Sequence, residues 1–154
     1  MAETEDRITR LESIEAIRNL IASYGPLADS GNADAIAQIW TDDGEYAVGG
    51  FGTAKGHDAI ADLIRGSTHQ DLMAAGCAHI VSPHHIDISG DRARAVGYSI
   101  VMRKAGETFV PWRVSANCWS FARAEGKWRA KRRENAPLDG SEAAIEILRG
   151  MHVT

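Results

Sequence analysis

The stretch Ala75 to Asp91, AGCAHIVSPHHIDISGD, sets His79, His84 and His85 within seven residues. Histidines so close together suggest metal ligation, proton transfer or simple capping of backbone groups. Zinc wants three or four ligands at defined geometry. Here only His84 and His85 adjoin, on opposite faces of an extended chain, with no His-x-His, His-x3-His or cysteine pair nearby. No metal site and no cofactor is expected. His84 and His85 follow Pro83, where a strand ends or bulges, and read as solvated or backbone-capping rings. His79 differs, because it shares a strand face with Cys77 and Val81. It is either a satisfied pocket-rim histidine or a general base, and a partner carboxylate would decide.

Asp29 is one candidate partner, placed where the first helix breaks before SGN. An aspartate there is either an ordinary turn residue or a carboxylate that fixes a histidine tautomer. In WRVSANCWSF, Arg113, Ser115 and Asn117 alternate with Val114, Ala116 and Cys118, so one strand face is polar in mid-strand. Polar groups embedded that way must be hydrogen-bonded or border a wet pocket, and a pocket wall is expected. Tyr24 and Tyr46 could each turn a phenol into the same space. One arginine of KRRE could hold an anion or a leaving group. Cys77 reads as a small packing residue rather than a nucleophile. Neither a G-x-S-x-G elbow, a P-loop nor a dinucleotide fingerprint appears.

Composition sets the frame for these residues. The chain has 154 residues, 44% of them hydrophobic and 25% charged, and a formal net charge of −4. Those values suit one globular domain, here taken as residues 1–154, and point away from nucleic acid or an acidic membrane as partner. No apolar run resembles a signal peptide or membrane span. Two cysteines, Cys77 and Cys118, make no disulfide framework, and a cytoplasmic setting is expected.

The first third must supply helices. Ile8, Leu11, Ile14, Ile17, Ile21 and Tyr24 recur at helical spacing, and DSGN ends that helix. Asn32 caps a second helix that carries Ile36, Ile39 and Trp40 inward, with DDG as its stop. GEYAVGGFG reads as an irregular strand, and a third helix follows Gly56 with Ile60, Leu63 and Ile64 as its stripe. From Cys77 the period becomes two. AHIVSPHHIDI, RARAVGYSIVM, FVPWRVSANCWSFAR and WRAKRRE are strands joined by SGD, KAGE and AEGK turns. GSEAAIEILRG closes as a short helix capped by Ser141. Helices followed by a long meander predict an α+β domain, with helices on a curved antiparallel sheet and a cavity between the layers.

Taken together, the helical N-terminal third, IAQIWTDDGEYAVGGFGTAKGHDAI, a histidine opening the meander and GKWRAKRRE resemble the SnoaL-like branch of the nuclear transport factor 2-like superfamily. The resemblance runs from about residue 8 to 137, leaving 138–154 as a C-terminal cap over the pocket mouth. It implies a cone-shaped α+β barrel. Within that branch the chain is similar to cofactor-independent lyases: hexachlorocyclohexane dehydrochlorinases, scytalone dehydratases and bile-acid dehydratases.

By that resemblance His79 in CAH matches a catalytic base, Cys77 a pocket cysteine, and Asp29 the aspartate that orients the base. Tyr46 matches a pocket tyrosine of the dehydratases, and in SAN Ser115 and Asn117 match their substrate-binding positions. Tyr24 or Tyr46 would then be the catalytic donor to the departing hydroxyl or to a developing enolate oxygen. Arg133, or else Arg132, matches a site arginine of the dehydrochlorinases. Ser99 stands where scytalone dehydratases carry a second histidine, and Tyr24 where dehydrochlorinases carry a lysine. Tyr24 and Asp29 together resemble the tyrosine–aspartate pair of the bile-acid enzymes, which ranks dehydration above dehydrohalogenation. The implied protein is a lyase that eliminates water, or halide, from a small and largely apolar, cyclic substrate, working as a homo-oligomer (dimer or trimer). An isomerase or cyclase using the same base, or a non-catalytic binding or assembly module, is the alternative.

Overall fold

In the computed structural model, residues 1–151 are described, the side chain of Ala2 excepted. A 28-residue helix, α1 (Ala2–Asp29), leads into a short α2 (Ala33–Ala37), whose N-cap Asn32 accepts a bond from the Ala35 N–H. A hairpin follows, β1 (Trp40–Val48) and β2 (Gly52–Lys55), then α3 (Gly56–Arg65) and α4 (Ser67–Ala75). The meander comprises β3 (Cys77–Val81), β4 (His85–Ser89), β5 (Arg92–Ala105), β6 (Thr108–Ala124) and β7 (Lys127–Pro137), and α5 (Glu142–Arg149) comes last. The strands form one sheet in the order β2-β1-β7-β6-β5-β3, with β4 also paired to β5. All pairings are antiparallel except that of β1 with β7, which is parallel. The architecture is α+β with helices on a curved sheet, as the sequence implies, but the sheet is mixed rather than purely antiparallel because β1 joins β7 in parallel.

Four further sequence expectations are corrected within the elements. The DDG segment does not stop a helix: α2 ends at Ala37, and Asp42–Gly44 form a bulge within β1, where Trp40 pairs with Ala130 but Glu45 with Arg132. AHIVSPHHIDI is two strands, because Pro83 offers no N–H to the ladder and breaks it. Ile8 and Leu11 do not join the core; the first turns of α1 run past the sheet and leave both side chains exposed. Ser141 sits at the N-cap of α5, but its side chain makes no capping bond.

The α5 helix also lies elsewhere than expected. Ala144 and Ile147 pack with Val96, Ala116 and Ala136, on the sheet face opposite Asn117 and Trp119. It therefore backs the sheet rather than capping the pocket mouth; residues 152–154 of the expected cap lie outside the described residues.

The main core lies between α1–α3 and the concave face. Ile17, Ile21, Ile36 and Ile60 meet Trp40, Trp119 and Phe121 there. Burying each such side chain contributes about 2–3 kcal/mol. This core stops short of one end of the cone, and the space left over is the site.

Candidate active site

Gly25 brings α1 onto β3. A Cβ at this position would lie 2.1 Å from the His79 carbonyl oxygen, so only glycine permits the approach. One turn later, Asp29 ends the helix with its carboxylate against the β3 backbone. It accepts bonds from the His79 N–H at 2.9 Å (Oδ2) and 3.2 Å (Oδ1), and from His79 Nδ1 at 2.6 Å. A carboxylate only accepts, so Nδ1 carries the proton and Nε2 keeps its lone pair. Burial lowers the His79 pKa from its ordinary value, outweighing the upward pull of Asp29. The ring is therefore a neutral imidazole with an oriented free nitrogen, which is what a general base requires.

His79 lines a cavity of about 320 Å³ between the helices and the concave sheet face. Tyr24, Tyr46, Ser99, Arg113 and Arg133 line it too, with apolar walls from Leu63, Ile64, Leu72 and Val101. Tyr24 meets His79 edge-on at 6.3 Å and Tyr46 at 6.1 Å between ring centroids. Burial first, and Tyr46 next, push the Tyr24 phenol far above its ordinary pKa, so it stays a protonated donor. Tyr46 stacks on Trp40, and its oxygen accepts a bond from Asn135 Nδ2 at 2.9 Å.

Arg133, rather than Arg132, is the arginine of the cavity. It is 1% exposed, and its guanidinium carbon lies 4.1, 4.7 and 4.5 Å from the ring centroids of Tyr24, Tyr46 and Trp119. Arg132 instead pairs with Glu45 at 2.7 Å. Asn117 is fully buried behind this wall: it accepts from Arg133 Nε at 3.0 Å and donates to Ser99 Oγ at 2.7 Å. Ser115 accepts from Arg113 Nε at 3.2 Å. Ser115, Asn117 and Cys77 do not line the cavity themselves. Cys77 points its thiol at Asp29 Oδ1, 3.4 Å away, and burial pushes its pKa up to about 11.

Asp29, Cys77 and His79 present potential metal-ligand atoms within 4.8 Å of one another. Their geometry suits hydrogen bonds better than a metal. Two ligands on a tetrahedral zinc stand about 3.4 Å apart, whereas His79 Nδ1 and Asp29 Oδ1 are at 2.6 Å, a hydrogen-bond separation.

Sequence reasoning passed over His69. It sits on α4, is buried, lines the cavity, and its ring lies 5.1 Å from that of His79 at 35°. Its Nε2 donates to the Ala28 carbonyl at 2.8 Å, one residue before Asp29. Its spacing with Leu72, three residues on and also buried, is the signal that could have revealed it. His84 and His85 stay outside the cavity: His84 Nδ1 donates to the Ser82 carbonyl at 2.7 Å, and His85 faces Asp87.

An α+β cone enclosing a cavity with a histidine–carboxylate pair defines a small-molecule site of the cystatin-like, nuclear transport factor 2-like class. Residues 9–134 match the SnoaL-like domain, and the chain belongs to that family. It is 54% identical to an NTF2-like protein with a cystatin-like fold from Novosphingobium aromaticivorans, over 96% of both chains, with a TM-score of 0.94. It shares its fold with hexachlorocyclohexane dehydrochlorinase LinA-type3 from Novosphingobium barchaimii, at 21% identity over 96% of this chain and 98% of that one (TM-score 0.74). Aln2 from a Streptomyces species has the fold too, at 15% identity over 86% and 96% (TM-score 0.74). None of the curated proteins matches this chain. Among the described residues no helix is long and apolar enough to cross a membrane.

Proposed function

We propose that this protein is a cofactor-independent lyase that eliminates water from a small, largely apolar, cyclic substrate. The observation that carries the reading is the 2.6 Å contact of His79 Nδ1 with Asp29 at the cavity wall, which leaves Nε2 free as a base. His79 Nε2 takes an acidic C–H proton, and the electron pair left behind forms the C=C bond as the C–O bond breaks. The departing hydroxyl takes the proton back from the imidazolium and leaves as water. Asp29 stabilises the transient imidazolium, and Tyr24 donates a hydrogen bond to the developing negative charge on oxygen. Arg133, Ser99 and Tyr46 orient the substrate, while Ser115 and Asn117 hold the arginines and Ser99 in place. Cys77 acts through its contact with Asp29.

Dehydration is favoured over halide loss because Tyr24 is a neutral donor, suited to a hydroxyl leaving group. The likeness to the dehydrochlorinase fold supports elimination as a class and says nothing of the substrate. Incubation with a panel of cyclic β-hydroxy and β-halo carbonyl compounds, followed by absorbance of the conjugated product, tests the reaction. Turnover of a β-hydroxy member is expected; a purified protein that converts none of the panel, or only returns isomers, contradicts the lyase. The exposed Ile80, Tyr98 and Val114 on the sheet support assembly into a small homo-oligomer, which light scattering would report as a dimer or trimer rather than a monomer.

A further inference from the structure

Two arginines face the cavity, and among the described residues neither is paired with a carboxylate. Arg133 spends Nε on Asn117, and its Nη1 is buried with no hydrogen-bond partner. Arg113 donates Nε to Ser115 Oγ, and Nη2 to the Gly49 carbonyl at 2.6 Å and Asn135 Oδ1 at 3.0 Å, all neutral acceptors. The two are joined through Asn135 and Tyr46: Asn135 binds Arg113 and the Tyr46 phenol, and Arg133 lies over the Tyr46 ring.

The other charged groups of the cavity do not neutralise this wall. Asp29 is engaged by His79 and Cys77. Asp62, at the rim, is exposed and paired with Arg65 at 3.2 Å. Tyr24 remains a neutral phenol, and His69 donates to a backbone carbonyl. Two guanidinium charges thus stand against the one carboxylate of Asp29. The three rings around Arg133 compensate for part of its lost hydration, but they leave its Nη1 donor unmet. An unpaired charge and an unmet donor in a half-dry cavity attract an anion far more strongly than the same groups would in water.

We propose that the cavity takes an anionic substrate, a small ring bearing a carboxylate, with the carboxylate bound between Arg133 Nη1 and the Arg113 guanidinium. Arginine's planar fork suits a carboxylate in two-point contact. Leu63, Leu72 and Val101 provide the apolar surface for the ring. Burial lowers the Arg113 pKa, Tyr46 opposes that shift, and the like charge of Arg133 adds to it. This names the substrate class of the elimination proposed above, yet its test needs no turnover.

The test is calorimetric titration of the full chain with cyclohexanecarboxylate and with its neutral isostere, cyclohexanecarboxamide. The acid should bind about tenfold tighter than the amide or better, with the advantage shrinking as salt rises. Arg113→Gln should erase most of that preference by weakening the acid far more than the amide, and Arg113→Lys should restore part of it. Arg133→Gln should act likewise; if it fails to fold, the Arg113 pair of variants still decides. Equal affinity for acid and amide, no binding of the acid at millimolar concentration, or a preference unchanged in Arg113→Gln would overturn the proposal. A protein that prefers the acid yet dehydrates nothing would keep this inference and lose the lyase; one that dehydrates neutral substrates without preferring the acid would do the reverse.

Discussion

His79 must be neutral to act, and its surroundings set the pH at which it is. Burial lowers its pKa, and Asp29 offsets only part of that shift. The acid limb of kcat/KM is therefore expected to have its midpoint below 6.5, the ordinary histidine value. Asp29→Asn removes the upward pull, so the midpoint should move further to acid while kcat falls about 10²–10⁴-fold through loss of the oriented tautomer. A pH–rate profile of both proteins checks this; a limb above the ordinary histidine value in the parent would contradict the assignment. The types and roles of this pair were legible in CAH and in the helix break at Asp29. Depth was not. Strand alternation told which face Ser115, Asn117 and Cys77 occupy, but not that Arg113 would reach the cavity over Ser115, Arg133 and Ser99 over Asn117, or that Cys77 would turn its thiol to Asp29. His69 escaped because α4 carries a weak apolar stripe, and a lone buried histidine on a helix has no pattern of its own.

Among the elements, the contact of α1 with β3 decides whether the dyad exists. Gly25 lies against the His79 carbonyl, and any Cβ there pushes the helix off the strand. Gly25→Ala should then stretch the 2.6 Å Asp29–His79 contact beyond hydrogen-bond reach and lower kcat about 10²-fold, with a smaller loss of stability. Kinetics paired with a thermal melt would separate the two effects, and an Ala variant with full activity would refute the positioning role. Helices α1, α2, α3 and α5, the hairpin turns and the long β5–β7 meander followed from periodicity and turn residues; α4, with its weak apolar stripe, did not. The β1 bulge and the β3–β4 break did not, because DDG and SPH carry the same letters whether they end an element or bend it. Pairing β1 with β7 in parallel joins residues from opposite ends of the chain, beyond the reach of local pattern.

For the whole molecule, acid is the informative stress. His84 Nδ1 is tied to the Ser82 carbonyl, its ring packs against Gly97, and burial lowers its pKa to about 4. The folded state thus refuses a proton that the unfolded chain accepts below about 6.5. Stability should fall as the pH drops from 6.5 to 4, by about 2–3 kcal/mol from this group, and its contribution should level off below 4. Urea unfolding of His84→Gln against the parent across that window should show the mutant with a shallower decline; parallel curves would remove His84 as the cause. At this scale α5 was foreseen as a helix but misplaced, because its apolar stripe fits either sheet face. Only the small Ala116 and Ala136 on the outer face choose between them.

The central claim is that His79 removes a carbon-bound proton, and hydrogen exchange reads that step directly. A cyclic ketone or keto acid lacking a leaving group, incubated with the protein in deuterated water, would be followed by proton NMR at its α-carbon. Exchange with the parent protein should exceed that with His79→Ala by about 10²–10⁴-fold, with the variant near the buffer rate. Equal rates for the two proteins, both above buffer, would show that the proton is taken by another group and would contradict the account.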